Sequence, residues 1–141
     1  MQGAQGEPGA QGVVSVKQFS GAIGTVGSSL SWVFAGPTAT ITVDGTDTVT
    51  AVGTAAVRGT SASTIDTAIC SQPGAFALTP LGDHTFGVEL TTVKRAFPAT
   101  GVAILAAGTY QVGFCVRPGV QLLNNDHVVG WVQVANSAGP V

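Results

Sequence analysis

The chain has 141 residues, enough for one domain with a sizeable core, yet only 9 % of them are charged and the net charge is −2. Its five cations never run longer than Lys94-Arg95, too few to displace phosphate counterions, which argues against nucleic-acid binding. No apolar run reaches the roughly 18 residues that would mark a membrane span, so no membrane insertion is expected.

Glycine stands at Gly3, Gly6, Gly9 and Gly12, and the residues between are Ala, Gln, Glu and Pro. Only glycine fits at the axis of three wound polyproline-type chains, so period-three glycine is the mark of a collagen-like segment. The plain alternative is a flexible Gly/Gln linker. Three triplets cover only about 30 Å of such a helix and cannot hold it by themselves. Residues 1–12 therefore read as the end of a cut stalk, and 13–141 as a globular β domain that holds the chains together. Met1 reads as an initiator on an excised fragment, so the lack of a signal segment says nothing about the parent protein.

From Val13 onward the signals are those of strands. Val13–Phe19 is the first and Ser29–Ala35 the second, with Trp32 and Phe34 on one face. Thr38–Val43 alternates, with Ala39, Ile41 and Val43 inward. Asp44-Gly45 reads as a hairpin turn. Thr48–Arg58 follows, with Val49, Ala51, Gly53 and Ala55 on one face. Thr64–Cys70 opposes Ile65, Thr67 and Ile69 to Asp66, Ala68 and Cys70. Ser71–Gly82 reads as irregular. Phe86–Phe97 reads as one long strand ended or bent by Pro98, and Gly101–Leu105 as a short one. Thr109–Arg117 sets Tyr110, Val112, Phe114 and Val116 against Cys115. His127–Ala135 sets Val128, Val132 and Val134 against Val129 and Trp131.

About nine short strands at regular spacing predict an all-β antiparallel sandwich or jelly roll. A closed single-layer barrel would show a similar pattern. Strands apolar on both faces, such as 128–134, predict contact with another subunit or a covering loop, since a sandwich buries only one face of each sheet. Trp32, Phe34, Tyr110, Phe114, Val129 and Trp131 are the core or trimer-interface candidates. A Trp in an alternating strand is more commonly core or interface than a sugar platform.

Cys70 and Cys115 allow one disulfide between strands distant in sequence, in an oxidising compartment, or two buried thiols; they fit no zinc pattern. No nucleophile elbow, phosphate loop or zinc-protease motif appears, and the seven acids are scattered. No catalytic residue or cofactor is assigned and no enzyme is expected. Asp83-His84 and Asp126-His127 could contribute to a metal site only if they met in space, and neighbouring strand positions face apart. Asp44–Asp47 lacks the later Glu of a calcium loop, and 124–126 reads as a turn cluster; oxygen-rich loops of either kind could hold calcium or sugar hydroxyls, although turn chemistry alone accounts for them.

Triplets followed by a Thr- and Gly-rich β domain resemble bacterial and phage collagen-like proteins. The plan also looks like the jelly-roll trimers of the complement and tumour-necrosis-factor type. Ala107-Gly108-Thr109-Tyr110-Gln111-Val112-Gly113-Phe114 is similar to a strand common in such heads. The resemblance implies a homotrimerising head that nucleates a stalk, extracellular, on a cell surface or a virion fibre. A receptor- or glycan-binding fibre tip is the alternative.

Overall fold

The computed structural model describes residues 12–123 and 125–136, in which there are eleven strands and no helix. They are β1 Gly12–Gln18, β2 Gly21–Ala22, β3 Val33–Phe34, β4 Ala39–Val43, β5 Thr48–Val57, β6 Ser63–Pro73, β7 Thr79–Pro80, β8 Thr85–Leu90, β9 Arg95–Ile104, β10 Gly108–Pro118 and β11 His127–Asn136. One sheet runs β1-β11-β5-β9, with β2 on the end of β11. The other runs β3-β10-β6-β7, with β4 also on β10 and β8 on β6. Successive long strands mostly switch sheets: β4 lies in the second, β5 in the first, β6 and β8 in the second, β9 in the first, β10 in the second, β11 in the first. This is a jelly-roll-like β-sandwich, with every named pair antiparallel.

The inward faces follow the period-two alternation. Val49, Ala51, Ala55 and Val57 of β5 and Val128, Val132 and Val134 of β11 meet Ile65 and Ile69 of β6 and Val112, Phe114 and Val116 of β10, all buried. Many of these residues are small, and one large ring fills the space they leave. Gly53 and Gly130 are direct cross-strand partners on β5 and β11. The Phe19 ring lies over both: a Cβ on Gly53 would sit 3.0 Å from it, and one on Gly130 would overlap it. Phe19 is 1 % exposed, and its N–H donates to the Gly130 carbonyl at 3.0 Å.

Several boundaries differ from the sequence reading. The Asp44-Gly45 turn is not a hairpin. Asp44 Oδ1 accepts from Thr46 N–H at 2.8 Å, Thr46 Oγ1 at 2.9 Å and Asp47 N–H at 3.1 Å, and these bonds hold its carboxyl below the ordinary value. That is good turn chemistry, but β4 pairs with β10 while β5 pairs with β11 and β9, so the turn crosses between sheets. Phe86–Phe97 is not one strand. A turn in which Thr91 Oγ1 accepts from Val93 N–H at 3.1 Å separates β8 from β9. Pro98 ends nothing; it lies inside β9 opposite Thr54, tolerated because β9 is the last strand of its sheet. Gly101–Leu105 is the far half of β9, apart from Leu105. Of Ser29–Ala35, only β3 is strand, because the Ser29 hydroxyl bonds the backbone of Ser31 in a turn. The stretch read as irregular continues β6 to Pro73 and folds back as β7.

Phe19→Ala is expected to destabilise the domain by about 3–5 kcal/mol. Gly130→Ala should be comparably damaging, because its methyl group would displace the ring. Urea unfolding checks both; a loss under about 1 kcal/mol for Phe19→Ala would show that the slot collapses without it.

Candidate functional site

The two outer faces of the sandwich differ in chemistry. On the six-stranded sheet, outward residues of β6 and β10 build a second, small apolar cluster of Ala68, Cys70 and Cys115, with Trp32, Phe34 and Leu78 packed over it. Cys70 and Cys115 are joined by a disulfide with their Cα atoms 5.7 Å apart. They lie 45 positions apart in sequence but on adjacent strands: Cys115 is opposite Ala68, and Cys70 is opposite Gly113. Beside the cluster, Asp66 and Arg117 are cross-strand partners. Asp66 Oδ2 accepts from Arg117 Nε at 3.0 Å and Nη2 at 2.9 Å, and Asp66 Oδ1 accepts from Gly87 N–H at 2.8 Å. The guanidinium sits 4.7 Å over the Trp32 ring, and His84 meets the same ring edge-on at 5.3 Å. This part of the face is covered by the chain's own side chains, while Thr40, Thr42 and Thr109 farther along it are exposed.

The outer face of the five-stranded sheet has no such cover. Partners in an antiparallel ladder share a face, so the register defines it row by row. Val13, Ala135, Thr48 and Ile104 form one row; Val16, Gln133, Thr50 and Val102 the next; Gln18, Trp131, Val52 and Thr100 the third. Val129, Thr54 and Pro98 continue it. None of these positions is ionisable. Lys17 pairs with Val132 and Arg95 with Val57, on the opposite face, and His127 marks the far end. Of the ten exposed large apolar side chains among the described residues, six (Val13, Val16, Val102, Ile104, Val129 and Trp131) lie on this face. Val129 is 65 % exposed and Trp131 39 %.

The six aromatic and apolar candidates therefore separate. Tyr110 and Phe114 are core; Trp32 and Phe34 are half-buried in the disulfide cluster; Val129 and Trp131 lie on the uncharged face. Among the described residues no segment covers that face. Val102 and Ile104 join it because β9 continues through Pro98. The alternation of Phe97, Ala99 and Gly101 with Pro98, Thr100 and Val102 runs straight through the proline.

The face has a defined corner. Gly12 pairs with Asn136 at the end of β1, so the fourth glycine of the period-three run is also the first residue of the sheet. Gly3, Gly6 and Gly9 lie outside the described residues. The Asp-His neighbours form no shared site. Asp126 and His127 bond each other, Oδ1 to Nδ1 at 2.7 Å, because Asp126 precedes the strand and does not alternate with it. That bond, helped by Lys94 at 3.8 Å, holds the Asp126 carboxyl below its ordinary value. No group of three or more metal-ligating side chains occurs among the described residues. Asn125 acts as a clip: it accepts from Arg58 N–H at 3.3 Å and donates to the Gly24 carbonyl at 2.9 Å. No protein-family model matches the chain, and no curated protein matches it.

Removing the disulfide, by reduction or by Cys70→Ala with Cys115→Ala, is expected to destabilise the domain by about 4 kcal/mol, the chain-entropy value for a loop of this length. Paired unfolding curves with and without reductant measure it. No change would mean that the strand pairing alone fixes this loop.

Proposed function

We propose that this domain is the homotrimerising head of a collagen-like, stalked protein, structural and not catalytic, acting outside the cell on a cell surface or fibre. The observation that carries the reading is the position of Gly12. A glycine-triplet segment runs without a spacer into a strand at the corner of a large uncharged face. Three chains that share one triple helix must bring three heads around a common axis. At that short tether the heads experience one another at high effective concentration, and a face free of charge lets them approach without repulsion. The Cys70–Cys115 disulfide supports an oxidising compartment. The alternative of a glycan-binding tip gains nothing from Trp32, whose ring already has Arg117 over it and His84 against it.

Sedimentation velocity on the full chain at micromolar concentration tests the reading. A single species of three times the chain mass is expected. A clean monomer would overturn it.

A further inference from the structure

We propose that copies of this chain meet through the outer face of the five-stranded sheet, and that β1 becomes firmly fixed only when they do. This rests on the trimer reading above and names its surface. The occupant is a second copy for three reasons on one face. From Val13 to Val129 the face bears no ionisable side chain, so it offers nothing to a charged partner and matches a surface that is itself neutral. It gathers six of the ten exposed large apolar side chains among the described residues, far more than scattered surface apolars require. The chain that precedes Gly12 leaves from the face's own corner, so any stalk shared by three chains brings three copies of that corner together.

β1 is the part of this face least supported by its own domain. Every β1 side chain except Ser15 is exposed, including Val13, Val14 and Val16. The strand is the sheet's edge, its ladder to β11 shifts register between Val13 and Ser15, and its anchor, Phe19, lies just past its end. An edge strand with hydrogen bonds but almost no buried side chains opens readily. A neighbouring copy packed on Val13 and Val16 would supply the missing burial. Head assembly and alignment of the incoming stalk then become one event.

The test uses the full chain with Val102→Lys, Val129→Lys or Thr50→Lys, each changing an outward side chain and none a core one. Leu30→Lys and Val93→Lys, exposed loop residues away from this face, are the controls. Sedimentation gives the assembly state, and hydrogen exchange compares β1 with the β6–β10 ladder. The face variants are expected to weaken trimerisation at least about a hundredfold, since each would bury an uncompensated charge at every copy of the contact. They should also lose β1 protection while β6 and β10 keep theirs, which shows that the domain is still folded. The controls should remain trimeric. Trimeric face variants with a trimeric wild type would overturn the choice of face and leave the trimer standing. Monomeric variants with β1 protected as in wild type would overturn the coupling of β1. A wild type that is itself a monomer would remove the reading on which the inference rests.

Discussion

The Phe19 ring, seated over the paired Gly53 and Gly130, is the contact on which the arrangement depends. β5 and β11 carry small residues where they face the core centre, and a sheet of small residues leaves a void that costs stability unless something fills it. The filler comes from the residue just after the first strand. One side chain therefore completes the core and fixes where the N-terminal segment leaves it. Without that wedge β1 would have only its ladder to β11. With it, Gly12 is carried to the corner of the sheet opposite Asn136.

The two outer faces show how the same sparse charge can serve two ends. The six-stranded sheet closes part of its outside with its own material: a disulfide, two aromatic rings and an ion pair stacked on one of them. The five-stranded sheet presents threonines interleaved with Val, Ile and Trp and leaves them exposed. β-branched side chains favour the pleat for their own conformational reasons, so threonine alone would mean little. The concentration of large apolar groups on one face, with the charges of the described residues lying off it, goes further than strand propensity requires.

Much of this was legible in the chain. The period-two pattern separated the two faces of β5, β6, β10 and β11 correctly, because those strands are central and alternation there is enforced by burial. It also separated Val129 and Trp131 from Val128 and Val132. Three things were hidden. Pairing partners were not visible, so a well-formed Asp44-Gly45 turn passed for a hairpin when it is a bridge between sheets. The break at Thr91–Lys94 carries no Gly or Pro, and the only proline nearby, Pro98, sits in an edge strand that tolerates it; the punctuation pointed to the wrong place. The glycine pair under Phe19 was the third. Gly53 could be grouped with Val49, Ala51 and Ala55 on one face, but nothing in one strand says that the residue opposite is also glycine, or that a ring from a third segment needs both.

The central claim is that the β domain brings the triplets together, and not the reverse. It is tested most directly by lengthening the stalk with further Gly-X-Y triplets ahead of Gly3 and following triple-helix refolding by circular dichroism, with residues 13–141 present or removed. The account predicts rapid recovery of the triple-helical signal with the domain, and slow, strongly concentration-dependent recovery without it. Equal recovery in both chains would contradict it.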